Sequence, residues 1–178
     1  ILDSMYAVLQ EEIDALEKVK MSLDETYVYS VEALHQCQGK IVITGIGKSG
    51  LIAQKISATL VSTGTTSVFL DAGSAIHGDI GIILEKDIVI AISKSGETEE
   101  ILNLLPYIHE IGSPIVSITC NLNSTLAKQS AHVLYVPIEE EACPLGLAPT
   151  SSTTAALAIG DALAISLMKL HSFTSETF

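Results

Sequence analysis

The stretch IVITGIGKSG at residues 41–50 decides the fold, and IVIAISKSGET at residues 88–98 has the same arrangement. In each, a short apolar run typical of a buried strand leads into a loop of glycine and hydroxyl residues. Such a loop is expected to open a helix, whose first N–H groups are unpaired and attract anions. Two loops of this kind predict a protein that binds a phosphorylated ligand.

Short apolar segments alternate with helical periodicity along the chain after residue 39. Strands are predicted near residues 41–45, 66–70, 87–92, 114–119 and 132–136, and helices near 48–62, 97–111, 123–129 and 152–170. Residues 1–37 carry two further helices, with a break at residues 21–22. The alternation predicts an α/β fold, a flavodoxin-like three-layer α/β/α sandwich with a five-stranded parallel sheet, preceded by the N-terminal helices. We expect residues 1–178 to form a single domain, with residues 1–37 packed on it.

The composition argues against several classes of protein. The 178 residues carry a net charge of −12, and all nine basic residues are lysines. Such a chain is poorly suited to bind nucleic acid or an anionic membrane, so backbone N–H groups, hydroxyls and lysine must hold any phosphate. No uninterrupted apolar run of about 18 residues predicts a transmembrane helix. Three cysteines without paired spacing favour a reduced, cytoplasmic protein, and no zinc-binding pattern is present.

The first loop has more than one interpretation. Gly45, Gly47 and Gly50 have the spacing of the dinucleotide-binding fingerprint, and Asp71 lies about 20 residues further on, where an acid that binds ribose is expected. On that interpretation the protein is a dinucleotide-dependent oxidoreductase. The same glycines also suit a turn that only lets a strand approach a helix closely. Lys48 is either a cation beside a bound anion or developing oxyanion, or a solvated lysine at a helix start.

The second loop has more hydroxyl groups than helix capping requires. Ser93, Ser95 and Thr98 surround Gly96, which permits close approach of the backbone to a ligand. Ser95 is predicted to cap the helix that follows, and capping needs only one hydroxyl. A dinucleotide-binding domain has no obvious use for this second loop, so the two loops together favour a phosphosugar.

Five motifs together resemble a known family. The Ser-x-Ser-Gly-x-Thr loop looks like the phosphosugar loop of sugar isomerase (SIS) domains, and the combined motifs are similar to those of the arabinose 5-phosphate isomerases: residues 45–50, 62–64, 75–79, 93–98 and 141–154. The resemblance extends from about residue 39 to residue 178. It implies a SIS-type fold and an isomerase that interconverts ribulose 5-phosphate and arabinose 5-phosphate through an enediolate, supplying Kdo for lipopolysaccharide or capsule. It implies no metal and no cofactor.

Glu141 is the first choice for the base that takes a proton from carbon. On composition alone, the run Glu139–Glu141 is typical of solvated carboxylates. The resemblance favours a catalytic role for Glu141, because this residue opens the longest shared motif. Its apolar neighbours Ala142, Leu145 and Leu147 are expected to raise its pKa toward neutrality, as an effective base requires.

The resemblance also implies the other members of the site. His77 would move protons between sugar hydroxyls or assist ring opening, Lys48 would stabilise the oxyanion, and Glu100 would turn toward the sugar. The residues expected to bind the substrate are the glycine, hydroxyl and loop residues Gly47, Ser49, Ser93, Ser95, Gly96, Thr98, Thr150, Ser151 and Ser152.

Two features qualify the resemblance. Longer members of the family carry CBS domains after the SIS domain, and this sequence contains none. Members also have a His-Pro-Gly-Gly segment, with a catalytic histidine, soon after a Phe-Thr-x-Glu-x-Phe stretch that matches residues 173–178. The alternative function is a phosphosugar-binding sensor without catalysis. The apolar N-terminal helices need a partner surface, so we expect a homo-oligomer, either a dimer or a tetramer.

Overall fold

The computed structural model describes residues 1–174 and 176, and within them five parallel strands form one sheet. The strand order is β2-β1-β3-β4-β5, which is the flavodoxin-like order. The strands are β1 (Ile41–Gly45), β2 (Ser67–Asp71), β3 (Ile88–Ile92), β4 (Ile115–Thr119) and β5 (His132–Tyr135). Each lies within a residue or two of its predicted position, because continuous apolar runs mark strands that are buried on both faces. The predicted fold class is confirmed.

Helices cover both faces of the sheet. They are α1 (Leu2–Ser22), α2 (Glu25–His35), α3 (Gly47–Ser62), α4 (Ala72–Ala75), α5 (Glu99–Leu102), α6 (Leu105–Ile111), α7 (Thr125–Gln129) and α8 (Ser151–Leu170), with a 3₁₀ turn at Asp79–Ile82. One core cluster joins β1, β3 and β4 to α1, α3 and α8. The other joins the opposite face to α4, α5, α6 and α7. The sheet is therefore the middle of three layers.

The helical prediction over residues 97–111 was wrong in one respect. The structure contains two short helices there, and Pro106 lies in the first turn of the second one. Proline has no N–H to donate to the preceding turn, so a continuous helix would leave a carbonyl without its partner. The sequence analysis also missed α4 and the 3₁₀ turn, because four-residue segments are too short to show helical periodicity.

Helix α2 packs beside the edge strand β5. The Tyr27 hydroxyl donates to the Tyr135 carbonyl at 2.6 Å, and burial raises the pKa of Tyr27 well above its usual range. Asp24 caps the start of α2 by accepting from the Thr26 backbone N–H at 2.9 Å. The chain between α1 and α2 therefore turns at residues 23–24, close to the predicted break.

Helix α8 is long and apolar enough to cross a membrane by length and composition alone. Core helices of globular domains share these properties, so the observation is weak. In this structure α8 lies along α1 and α3, and its buried residues face the core: Ser151, Ser152, Ala155, Ala156, Ile159, Gly160, Leu163, Ala164 and Leu167. The predicted lack of a transmembrane helix stays a prediction.

The strand order brings the two glycine-containing loops together. Because β1 and β3 are neighbours, the loops that follow them leave the sheet side by side at its carboxyl edge. The connection after β1 runs to β2 and the connection after β3 runs to β4, on opposite sides. Open α/β sheets bind their ligands at such a switch point.

Candidate active site

A small cleft at the carboxyl edge is lined by residues from several separate segments. Ser49 comes from the first loop, Lys94 from the second loop, and Ser152 from the start of α8. Cys120 from the end of β4 also contributes to the wall. The cleft holds a cavity of about 20 Å³, enough for about one water molecule. Segments that lie far apart in the sequence therefore share one site.

The second loop is held in shape by its own hydroxyl groups. Ser93 is buried, and its Oγ accepts from the Gly96 backbone N–H at 3.0 Å. The Ser93 and Thr98 hydroxyls lie 2.7 Å apart. The Ser95 hydroxyl accepts from the Glu97 N–H at 3.1 Å, so the prediction that Ser95 caps the following helix was wrong. That helix begins after Thr98 without a side-chain cap, because the hydroxyls are used to close the loop.

Gly96 fits where no other residue would. Its φ of 67° lies in the left-handed region, and an added Cβ would lie 2.1 Å from the Ser124 hydroxyl. The loop is also bonded to the start of α7, since the Leu126 N–H donates to the Gly96 carbonyl at 3.1 Å. In addition, Glu97 accepts from the Thr125 N–H at 2.6 Å. The second loop is thus fixed to the segment after β4.

The first loop is more open than the second. Gly45 lets β1 approach α3 closely, since an added Cβ would lie 2.9 Å from the Ser49 backbone. Gly47 has a φ of 58° and is exposed at the start of α3. Lys48 is exposed and forms no hydrogen bond or ion pair with the described residues. The N–H groups at the start of α3 therefore face the cleft region without a side-chain cap.

Glu141 is the most heavily bonded side chain at this edge. Its side chain is only 4% exposed. Lys94 Nζ donates to Oε1 at 2.7 Å, and the Ser152 hydroxyl donates to the same oxygen. The backbone N–H groups of Thr150 and Ser152 donate to Oε2 at 2.8 and 3.1 Å. The carboxylate therefore accepts the N–H groups at the start of α8 and faces an ammonium group.

The predicted rise in the pKa of Glu141 was wrong. Burial raises this pKa, but hydrogen bonds from Lys94, Ser152 and Thr150 outweigh that effect and lower it to about 2. The sequence argument relied on Ala142, Leu145 and Leu147; Ala142 is buried, but the side chains of the two leucines are exposed. Glu141 is ionised in this structure and binds a proton only weakly.

The remaining predicted residues lie at various distances from these contacts. Thr150 and Ser152 bond Glu141 directly, and Ser151 is buried in the first turn of α8. His77 is exposed between α4 and the 3₁₀ turn, and Glu100 is half-buried in α5. Neither side chain has a hydrogen bond or ion pair within residues 1–174 and 176. Their catalytic roles stay predictions.

Asp71 has a structural task that differs from ribose binding. Its Oδ1 accepts from the Ser74 backbone N–H at 2.9 Å and from the Ser74 hydroxyl at 3.1 Å, which caps α4. The carboxylate of the dinucleotide fingerprint is thus already engaged. This arrangement favours the simple close-packing role for the glycines of the first loop.

The cysteines are free thiols, and two of them have shifted pKa values. Burial raises the pKa of the Cys120 thiol to about 11, so the thiol is neutral. Backbone N–H groups around Cys143 lower the pKa of that thiol. Among residues 1–174 and 176, no group of three His, Cys, Asp or Glu side chains is placed to hold a metal ion.

The sequence analysis missed Lys94 as a site residue. It treated the second loop as a set of hydroxyls, and the partner of Lys94 lies 47 residues away in the sequence. Lys94 could have been identified from the sequence, because it is a lysine inside a loop that was already predicted to bind phosphate. Stretch 173–178, which matches the end of the family pattern, lies partly outside the described residues.

Comparison with known proteins identifies the family. The model of the SIS domain matches residues 34–166, which include all five strands and both loops. The chain belongs to the SIS domain family. This SIS domain resembles a protein from E. coli CFT073, c3406, whose structure was solved in complex with arabinose 5-phosphate. The two are 40% identical with a TM-score of 0.96, over 99% of this chain and 94% of the other.

Curated relatives of this SIS domain include two proteins named arabinose 5-phosphate isomerase KdsD. The protein from Francisella tularensis is 48% identical over 94% of this chain, and the one from Escherichia coli K12 is 45% identical over 96%. In both cases the match covers 52% of the relative. The SIS domain described here thus spans about half the length of the curated relatives it matches.

Proposed function

We propose that this SIS domain is the catalytic part of a phosphosugar aldose–ketose isomerase that interconverts arabinose 5-phosphate and ribulose 5-phosphate. The main support is the combination of a buried, charge-paired Glu141 with two glycine-containing loops at one edge of the sheet. The similarity to c3406, solved in complex with arabinose 5-phosphate, supports a five-carbon sugar phosphate as the ligand. Relatives named KdsD support the reaction class.

The reaction moves one proton between two neighbouring carbons. A base removes the proton from C2 of the aldose, and the electron pair of that C–H bond forms the enediolate. The proton returns at C1, while the hydroxyl proton at O2 moves to O1, so that atoms and electrons balance. The protein must supply a carbon base, a proton donor for the oxygens and an anchor for phosphate.

The residues of the cleft can supply each part. Glu141 is the proposed base, and its position is fixed by the start of α8. Backbone N–H groups of the two loops anchor the phosphate without arginine. Lys48 is exposed and has no partner among the described residues, so it is free to meet the developing oxyanion. His77 and Glu100 are the proposed groups for proton exchange with the sugar oxygens.

Purified protein should convert arabinose 5-phosphate to ribulose 5-phosphate in the presence of a chelator. Product formation is measured by coupled or NMR assay, with Glu141→Gln as the matched variant of nearly equal shape. We expect this variant to lose about 10²–10⁴-fold in kcat, because a general base is removed. Binding of the sugar phosphate without turnover in the wild-type protein would contradict the proposal.

A sensor without catalysis is the second candidate. It is favoured by one observation, that Glu141 has a pKa of about 2 in this structure and is saturated with hydrogen bonds, as a structural carboxylate would be. The same variant separates the candidates. The sensor function is supported if the wild-type protein shows no turnover and Glu141→Gln changes only the affinity for arabinose 5-phosphate.

We also propose that the protein is a homo-oligomer in the cytoplasm. Helices α1 and α2 and the turn between them expose apolar side chains: Leu2, Met5, Tyr6, Leu9, Ile13, Met21, Leu23, Val28 and Tyr29. Contiguous exposed apolar surface of this kind is typical of an association surface. Light scattering at several concentrations should give a mass of two or four chains, and a stable monomer would contradict this expectation.

A further inference from the structure

The backbone of Lys94 is fixed by hydrogen bonds, whereas its side chain is partly exposed and pairs with Glu141. Its carbonyl accepts from the Cys120 N–H at 2.9 Å and from the Thr119 hydroxyl at 3.1 Å, so the backbone of the second loop is tied to the end of β4. The side chain is 38% exposed and reaches across the cleft to Glu141. A lysine stem has several rotatable bonds, so the ammonium can change partner while the backbone stays in place.

Within residues 1–174 and 176, Lys94 supplies the only positive charge in contact with Glu141. The α8 segment offers Glu141 only hydroxyls and N–H groups. The end of β4 contributes the neutral thiol of Cys120. A neighbouring cavity brings further ionisable groups close: the acidic Glu11, Asp14, Glu139 and Glu140, and Lys18 of α1, which forms no ion pair with Glu141 within the described residues. Glu141 therefore depends on one lysine for charge compensation.

The same lysine lies where a bound phosphate would arrive. Lys94 is a member of the second loop, and it lines the cleft together with Ser49 of the first loop. A phosphate dianion anchored by these loops carries more negative charge than the Glu141 carboxylate. The phosphate would compete with the Glu141 carboxylate for the Lys94 ammonium, and the group with the greater negative charge would attract it more strongly.

We propose that Lys94 is a positioning residue that exchanges partners: it holds the Glu141 carboxylate in the free protein and turns to the phosphate of a bound phosphosugar. This inference rests on the proposed function and explains how a tightly paired carboxylate becomes a base. Loss of the Lys94 contact and the arrival of a dianion both raise the pKa of Glu141. The base is thus released only when the substrate's phosphate is in place, and Oε1 becomes available to the sugar carbon.

The test follows the Glu141 carboxyl by carbon-detected NMR, with its signal assigned by its absence in Glu141→Gln. Sulfate is the probe, because it is a tetrahedral dianion that does not titrate between about pH 3 and pH 8. Without sulfate, Glu141 should titrate well below the ordinary value of about 4.3, and saturating sulfate should raise its pKa above that value. A pKa that is the same with and without sulfate overturns the proposal.

Two variants sharpen the test. In Lys94→Met the pKa of Glu141 should be raised before any sulfate is added, and sulfate should then raise it by less than in the wild-type protein, because only the charge of the dianion is left to act. Lys55→Met is the matched control, since Lys55 forms a similar ion pair with Asp161 that is half-exposed and outside the cleft. It should leave the response of Glu141 to sulfate unchanged. If Lys94→Met responds to sulfate as the wild-type protein does, the exchange is refuted.

Enzyme kinetics provide an independent readout. Lys94→Met should raise KM for arabinose 5-phosphate and shift the acid limb of the kcat/KM profile to higher pH, whereas a purely structural lysine would change stability alone. The NMR titration requires no turnover, so it judges the exchange separately from the proposed function. A wild-type protein without isomerase activity but with a sulfate-dependent Glu141 pKa would reject the isomerase and retain the exchange.

Discussion

Lys40–Asp87 and Lys94–Glu141 are both ion pairs with a buried carboxylate, and they lie at opposite edges of one sheet. The Asp87 and Glu141 side chains are 2% and 4% exposed, and hydrogen bonds hold both pKa values below the usual range although burial raises them. Lys40 and Asp87 precede β1 and β3, whereas Lys94 follows β3. The two pairs have the same chemistry but different positions, and their surroundings separate a structural pair from a candidate functional one.

The partners of the two carboxylates explain this difference. Asp87 accepts from the Lys40 N–H at 2.9 Å and from the Leu84 N–H at 2.8 Å, which ties a turn to the start of β1. Its lysine is mostly buried, with 21% of the side chain exposed. Lys94 is 38% exposed and borders a cleft, so its ammonium has water and ligands as alternative partners. Only the pair at the carboxyl edge can be opened at low cost.

The largest expected effect is on the structural pair. Asp87→Asn should lower the free energy of unfolding by about 3 kcal/mol, because it leaves the mostly buried Lys40 ammonium without its counter-ion. Urea denaturation at pH 7 measures this. The comparison would fail if the variant were as stable as the wild-type protein.

Glu141→Gln is the matched change at the other edge, and its effect on stability should be smaller. We expect a loss of about 1 kcal/mol in the free energy of unfolding, since Lys94 can turn into water and the amide oxygen still accepts hydrogen bonds. The same urea titration measures both variants. Equal losses for the two variants would show that the pairs are energetically alike, and that exposure of the lysine does not matter.

The smallest expected effect is a change in the free energy of unfolding at acid pH. The Glu141 carboxyl has a folded-state pKa below its unfolded value, so its stabilisation is complete above about pH 4.5 and is lost as the pH falls toward about 2. The stability gap between the wild-type protein and Glu141→Gln should therefore narrow below about pH 4.5. Urea titrations at pH 7, 5, 4 and 3 follow it. A gap that stays constant across this range would mean that the charge of Glu141 contributes nothing.

The sequence predicted the sheet well and the electrostatics of the site poorly, for one physical reason. Strand positions follow from local apolar runs such as residues 88–92, which are buried on both faces. The pKa of Glu141 depends on Lys94, which is close in space but remote along the chain. Burial alone would raise this pKa, and the wrong sign arose because the hydrogen bonds from Lys94, Thr150 and Ser152 that lower it were not visible in the sequence.

The loops show the same division between local and remote information. The glycine and hydroxyl residues correctly predicted that the two loops follow β1 and β3. The cap predicted for Ser95 was wrong because Ser93, Gly96 and Thr98 form a closed set of bonds that no single residue reveals. Pro106 was visible in the sequence, and its effect on the helix over residues 97–111 was underestimated.

The bonds from Gly96 and Glu97 to the start of α7 have a consequence for protein engineering. Because the Ser124 side chain fills the space beside Gly96 and the Thr125 N–H reaches Glu97, the two segments form one interlocking part. A loop grafted from another protein without a matching segment at residues 121–126 would lack the packing and hydrogen bonds that hold it in shape. Altering the ligand preference of this protein will therefore require libraries that vary both segments at once.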